Sequence, residues 1–250
     1  MKKNFLAGML CALYLLLCCS AAPAEEPLPD PAENLAAYGL DPEEILLERI
    51  GFLPNEGALR FPQKDRPFYI WYDVTGDGCV DLFTEHMVGS GMVRVDVRLY
   101  DPLTGDSWNL DGYDYYYLLD GISDGRVRII KKGPYGYGDP IKETFGTVIL
   151  DNGRLIFIAD MKPDAGGDNP FDPARVPVSS EQAVRTALDC VAQFPRAEYC
   201  NDAAVSRAVL EKEGTEKNCW CISLCWLGEP RYSVWVNAET GEVESCTPDE

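Results

Sequence analysis

The chain has 250 residues and a mass of 27.8 kDa, with 46% hydrophobic and 11% aromatic side chains. That is enough apolar surface for one large domain or two small ones, and too much for a disordered or fibrous chain. Its 22 Lys and Arg stand against 41 Asp and Glu, a formal net charge of −19, so it repels nucleic acid and acidic membrane surfaces and favours cations or basic partners. A single histidine, His86, excludes chemistry that needs two, the His-Glu-x-x-His zinc peptidases among it.

Residues 1–24 read as a secretory signal peptide. Lys2 and Lys3 charge its start, Phe5 to Cys19 is apolar, and Ala22-Pro23-Ala24 supplies the small-x-small cleavage site. The apolar run is too short to span a bilayer comfortably and no second one follows, so no transmembrane segment is expected after leader cleavage. The expected location is secreted or at the extracytoplasmic face of a bacterial cell. Lipid anchoring at Cys18 or Cys19, each preceded by an apolar or sulfur side chain, is the alternative. Residues 25–39 read as an acidic tether. With the leader gone seven cysteines remain, and six of them lie between Cys190 and Cys246. In an exported chain that clustering suggests local disulfides, whose pairing sequence cannot rank.

A short helix is expected next, capped by Asp41 with Pro42 in its first turn and an apolar stripe of Ile45, Leu46 and Ile50. From 67 to 160 the pattern is β-branched and aromatic runs separated by Gly and Asp turns: 67–73, 79–88, 92–100, 107–119, 126–132, 144–150 and 154–160. Pro102 to Asp106 and Asp151-Asn152-Gly153 are hairpin signals. Runs joined so tightly pair antiparallel, which predicts an antiparallel β-meander domain over 40–165 with the short helix covering it. Residues 166–177, rich in Pro, Gly and Asp, read as a linker. Over 178–248 the pattern is one helix, with Ser179 and Gln182 at capping-box spacing and Pro195 as its stop, followed by three or four strands. The predicted fold class is therefore α+β, the second domain being one helix packed on its own antiparallel sheet.

The residues that carry a family resemblance lie in that second unit. They are Ser180-Glu181-Gln182-Ala183 with Ala187 and Leu188, then Leu210-Glu211, Trp220 and Ile222, and above all the run from Tyr232 to Val243, an alternating strand closed by Asn237-Ala238-Glu239-Thr240-Gly241. This stretch resembles the PepSY domain, a small bacterial module of exported and envelope proteins and of thermolysin-type propeptides. Asn237 stands where the family more often has aspartate. The resemblance implies a non-catalytic module that binds or restrains an envelope protein partner, a peptidase being the class it suggests.

One loop has ion-binding spacing. Asp73-Val74-Thr75-Gly76-Asp77-Gly78-Cys79-Val80-Asp81 places oxygen donors at Asp73, Thr75, Asp77 and Asp81, with the Cys79 carbonyl between the last two. It is similar to the calcium loops of FG-GAP-type repeats, and calcium is the only cofactor suggested. Enzyme readings find little support. His86 has no nucleophile at a spacing that would bring it within reach, and no pair of carboxylates is singled out, so no catalytic residue is assigned. Tyr113, Tyr115 and Tyr117 would share one strand face, and with Tyr232 and Trp235 they are the candidate partner-binding residues. The sequence thus predicts an exported, non-enzymatic, partner-binding protein. The alternative is a calcium-dependent adhesive or glycan-binding β protein.

Overall fold

The computed structural model describes residues 28–51, 66–88, 94–112, 115–134, 140–161, 171–212, 214–226 and 229–249. The leader with Cys18 and Cys19, and Tyr113, lie outside them. Helices α1 (Pro31–Ala37) and α2 (Pro42–Ile50) come first, each with an aspartate, Asp30 or Asp41, accepting a backbone N–H of its first turn. Part of the stretch expected to be tether is therefore helical, and Leu35 on α1 is fully buried.

Four strands then form a first antiparallel sheet in sequence order: β1 (Tyr69–Tyr72), β2 (Asp81–Val88), β3 (Arg94–Tyr100) and β4 (Ser107–Leu110). The next four, β5 (Tyr116–Ser123), β6 (Arg126–Gly133), β7 (Lys142–Asp151) and β8 (Arg154–Ala159), begin a second. The tight β7–β8 turn is the predicted one, with Asn152 and Gly153 at φ 46° and 71°, values that glycine and asparagine tolerate best. The run read as a single strand over 107–119 is two strands in different sheets, broken at Asp111-Gly112.

Helix α3 (Ser180–Val191) follows, with its capping box formed by Ser179 and Gln182 as expected. The chain then lays down β9 (Asp202–Lys212), β10 (Thr215–Trp226), β11 (Glu229–Asn237) and β12 (Val243–Pro248). These do not make a sheet of their own. β9 pairs in parallel with β8, matching Phe157 with Asp202, Ile158 with Ala203 and Ala159 with Ala204, and the order β12-β11-β10-β9-β8-β7-β6-β5 is one continuous eight-stranded sheet.

The α+β expectation of a meander domain followed by a small helix-on-sheet domain is corrected by this topology: the described chain is mostly β, in one sheet of four strands and one of eight. The physical reason lies in the Pro-, Gly- and Asp-rich stretch taken as a linker. It belongs to a crossover, and a parallel pair such as β8 and β9 requires one of a dozen residues or more, usually holding a helix. α3 is that helix.

Alternation along β7 and β8 divides the layers. Val148, Leu155 and Phe157 point to the first sheet and join Ile70, Phe83, Val97, Leu99 and Leu110 in one core. Ile149, Ile156 and Ile158 point the other way and join Ala183, Val184, Ala187, Leu188 and Val191 of α3 with Trp220, Ile222, Leu224, Val234 and Val236. Helices α1 and α2 close the outer face of the first sheet through Leu35, Ile45 and Leu46 against Val80 and Leu82. The layers run α1/α2, small sheet, large sheet, α3. The small sheet lies against the β5–β8 half, its strands touching β5 and β8.

Candidate functional site

Beyond β8 the face of the large sheet opposite α3 carries small and polar side chains. Register places Asp202, Ala204 and Ser206 of β9 beside Cys225, Ser223 and Cys221 of β10, with Ser233 and Trp235 of β11 next in line. Their neighbours in sequence, Ala203, Val205, Ile222, Leu224, Tyr232 and Val234, turn to α3 and are buried. Ala204 and Ser206 are exposed, and Trp235 is half-buried. This is the period-two division of a sheet covered on one face.

Where this face meets the covered half there is a cleft of about 610 Å³, lined by Lys131, Thr144, Phe157, Asp202, Ala204 and Cys225 among others. At its base the Lys131 ammonium is paired with the Asp202 carboxylate. The two residues come from strands far apart in sequence and are only 9% and 7% exposed. The Tyr115 ring lies 4.1 Å from Lys131 Nζ, a cation–π contact. Burial pushes the Asp202 carboxyl up from the usual carboxylate range, with Lys131 opposing the shift. Cys225 is raised to about 11, first by burial and then by the Asp202 charge, so it is a thiol at neutral pH and a poor nucleophile. An ammonium has three N–H donors. Asp202 takes one here, and the Tyr115 ring faces the ammonium as well.

Sequence reasoning missed Lys131, Asp202 and Cys225. A signal existed: Val127, Ile129 and Lys131 alternate along one face of β6, and a lysine that continues an apolar face calls for a buried partner.

Of the predicted partner-binding residues, Tyr115 does not line the cleft, but its ring packs on Lys131, which does. Tyr117 is 2% exposed and packs edge-on to Phe157 at 5.9 Å between centroids. Tyr232 is buried under α3, stacked on Phe194, its hydroxyl donating to the Pro195 carbonyl. Both are core residues, which removes them from any docking surface. Trp235 stays on the open face.

The predicted calcium loop joins β1 to β2, and its carboxylates turn onto its own backbone. Asp73 accepts the N–H of Gly76 at 2.6 Å and of Gly78 at 2.9 Å, with the Thr75 hydroxyl at 3.4 Å from it. Asp77 accepts Cys79 N–H at 2.8 Å. Asp81 accepts Val74 and Thr75 N–H at 2.8 and 3.0 Å through Oδ2. Asn34 of α1 clamps the loop by bonding the Gly78 carbonyl and the Val80 N–H, both at 2.9 Å. Among the described residues no three acidic, His or Cys groups gather as a ready metal cluster. Asp81 Oδ1 is nevertheless buried without a hydrogen-bond donor, and burial raises that carboxyl to about 6.

Glu85 and His86, next to each other on β2, part company. Glu85 Oε1 accepts the Leu119 N–H of β5 at 2.7 Å and pairs with Arg66 at 2.6 Å, while Arg66 also bonds the Leu119 carbonyl. His86 sits opposite Asp96 on β3, its pKa lowered by burial and by Arg98. No protein-family model matches this chain, and neither a curated protein nor a solved structure matches it.

Proposed function

We propose that the chain is an exported, non-enzymatic binding protein of the cell envelope, and that the open face of β9–β11 with its adjoining cleft holds a protein partner. The observation that carries this reading is the cleft itself. It is a concave site of about 610 Å³ lined by the buried Lys131–Asp202 pair and by Ala204 and Ser206 of the open face, which runs on to Trp235. Sites of that kind, concave with a few convergent polar groups, are where ligands bind. The formal charge of −19 favours a partner with a basic face. The PepSY resemblance of residues 178–248 supports a peptidase as the partner class. The resemblance lies in local pattern, and the proposal does not require those residues to fold alone.

The test is capture from the native envelope by the immobilised full chain, with partners identified by mass. Ala204→Arg fills the open face and should abolish capture. Val209→Arg, at an exposed position on the opposite face of β9, should leave it unchanged. Equal capture by both variants would place the interface elsewhere.

A second reading, calcium-dependent adhesion, is favoured by one observation: the buried, unpaired Oδ1 of Asp81 in a loop with calcium spacing. Asp81, with Asp73, Thr75, Asp77 and the Cys79 carbonyl, would hold the ion. A ligand at about 100 times its Kd stabilises a fold by about 2.7 kcal/mol. Thermal melting in millimolar calcium against chelator should therefore separate the readings: a clear rise in Tm favours adhesion, and coincident melts leave the protein-binding reading in place.

A further inference from the structure

The six clustered cysteines are distributed unequally by the fold. Cys219 and Cys221 lie two apart on β10 and project from the same face of one strand, where their Cα atoms are about 6.6 Å apart, near the upper limit for a bond. Cys225 stands on the cleft side next to Asp202, whereas Cys200 is fully buried in the cluster under α3. Cys79 belongs to another core, beneath α1 and α2.

Cys190 and Cys246 differ from all of these. Cys190 follows Ala183 and Ala187 along the buried stripe of α3, at its edge. Cys246 pairs with Val234 on β11, whose side chain is buried against α3, so Cys246 also points to the helix. Both pack on the same apolar cluster and both are half-buried, on two elements, α3 and β12, that lie against each other.

We propose that Cys190 and Cys246 form a disulfide that staples the crossover helix α3 to the edge strand β12. The chemistry is thiol–disulfide exchange. One cysteine, as thiolate, attacks a sulfur of an external disulfide, either a low-molecular-weight one such as oxidised glutathione or the active-site disulfide of an oxidase, and expels one thiolate. The second cysteine loses its proton and attacks the resulting mixed disulfide at the protein sulfur, expelling the other. Two protein thiols become one S–S bond, and two electrons and two protons pass to the reagent, which leaves as two thiols. Burial and the neighbouring Cys190 raise Cys246 to about 11, so the exchange is slow at neutral pH and faster as the pH rises. The consequence is mechanical. Among the described residues β12 is paired on one side only, by β11, and such an edge frays first. A covalent link to α3 closes the long loop between 190 and 246 and removes conformational freedom from the unfolded chain.

The experiment uses the full mature chain in oxidised and reduced glutathione at about pH 8.5. Intact mass should fall by about 2 Da per bond formed, and proteolysis without reductant should yield the peptide holding Cys190 linked to that holding Cys246. Tm should rise by about 5–15 °C, reversed by dithiothreitol. Cys190→Ser and Cys246→Ser should each abolish the linked peptide and the reversible Tm rise. The mapping on the unsubstituted chain stands even if a variant folds poorly. Linkage of Cys190 or Cys246 to any other cysteine, or both remaining open to alkylation after oxidation, would overturn the proposal.

Discussion

Asp202 loses water on folding and gains Lys131; Asp81 loses water and keeps one oxygen without a donor. The first is a buried ion pair, which contributes little net stability but is costly to break, about 3–5 kcal/mol when one partner goes. Lys131→Met should therefore destabilise by that order, and the deficit should shrink as the pH falls, because protonation removes the stranded charge of Asp202. Urea unfolding at two pH values checks both; a deficit independent of pH would mean that Asp202 stays solvated. Asp81 works differently. Its folded pKa, about 6, lies above its usual 3.8, so the folded state holds a proton that the unfolded chain releases between those values. Its stabilising effect is complete below about pH 4 and is lost as the pH rises through 6, a change of about 3 kcal/mol. In chelator, Asp81→Asn should flatten the stability curve across that window. Retention of the full slope would assign it to other groups.

At the scale of elements, β5 is an edge strand, and Leu119 on it is saturated by side chains rather than by another strand. The Glu85 carboxylate takes its N–H and Arg66 its carbonyl. Bare edges invite pairing with other chains, and burial raises the Glu85 carboxyl, so the group is held in place by what it caps. Glu85→Ala should cost about 2–4 kcal/mol and increase self-association, read by unfolding and sedimentation. A monomer of unchanged stability would deny the cap any role. Close approach matters on β7, where a Cβ at Gly146 would lie 2.2 Å from the Ile158 carbonyl. The helices and turns were legible because their signals are local: Asp41, Ser179 with Gln182, Asn152-Gly153. The break at Asp111-Gly112 was not, since the aromatic run continues on either side of it and only the packing of two sheets separates β4 from β5. Tyr117 and Tyr232 read as surface candidates because alternation shows that faces differ, not which face is covered.

At the scale of the molecule, the parallel β8–β9 pair decides the architecture. The Phe157 N–H donates to the Asn201 carbonyl across it at 2.9 Å, and Ile156 and Ile158 are buried beside α3 residues. Nothing within the Pro- and Gly-rich stretch distinguishes a crossover from a linker; the difference lies in a pairing between segments more than forty positions apart. A chain ending at residue 170 should therefore expose the β8 edge and the apolar face of Ile149, Ile156 and Ile158, and aggregate. A soluble monomer with native-like near-UV dichroism would argue for independent halves.

Continuity of the large sheet also fixes the open face, since the small sheet covers the β5–β8 half and α3 covers the other side. That face is tested most directly by methyl NMR with a soluble paramagnetic agent. The Ala204 methyl, exposed on the open face, should broaden strongly while the Ala203 methyl, fully buried under α3, should not, and addition of the captured partner should protect Ala204. An Ala204 methyl already shielded in the free chain would contradict the account.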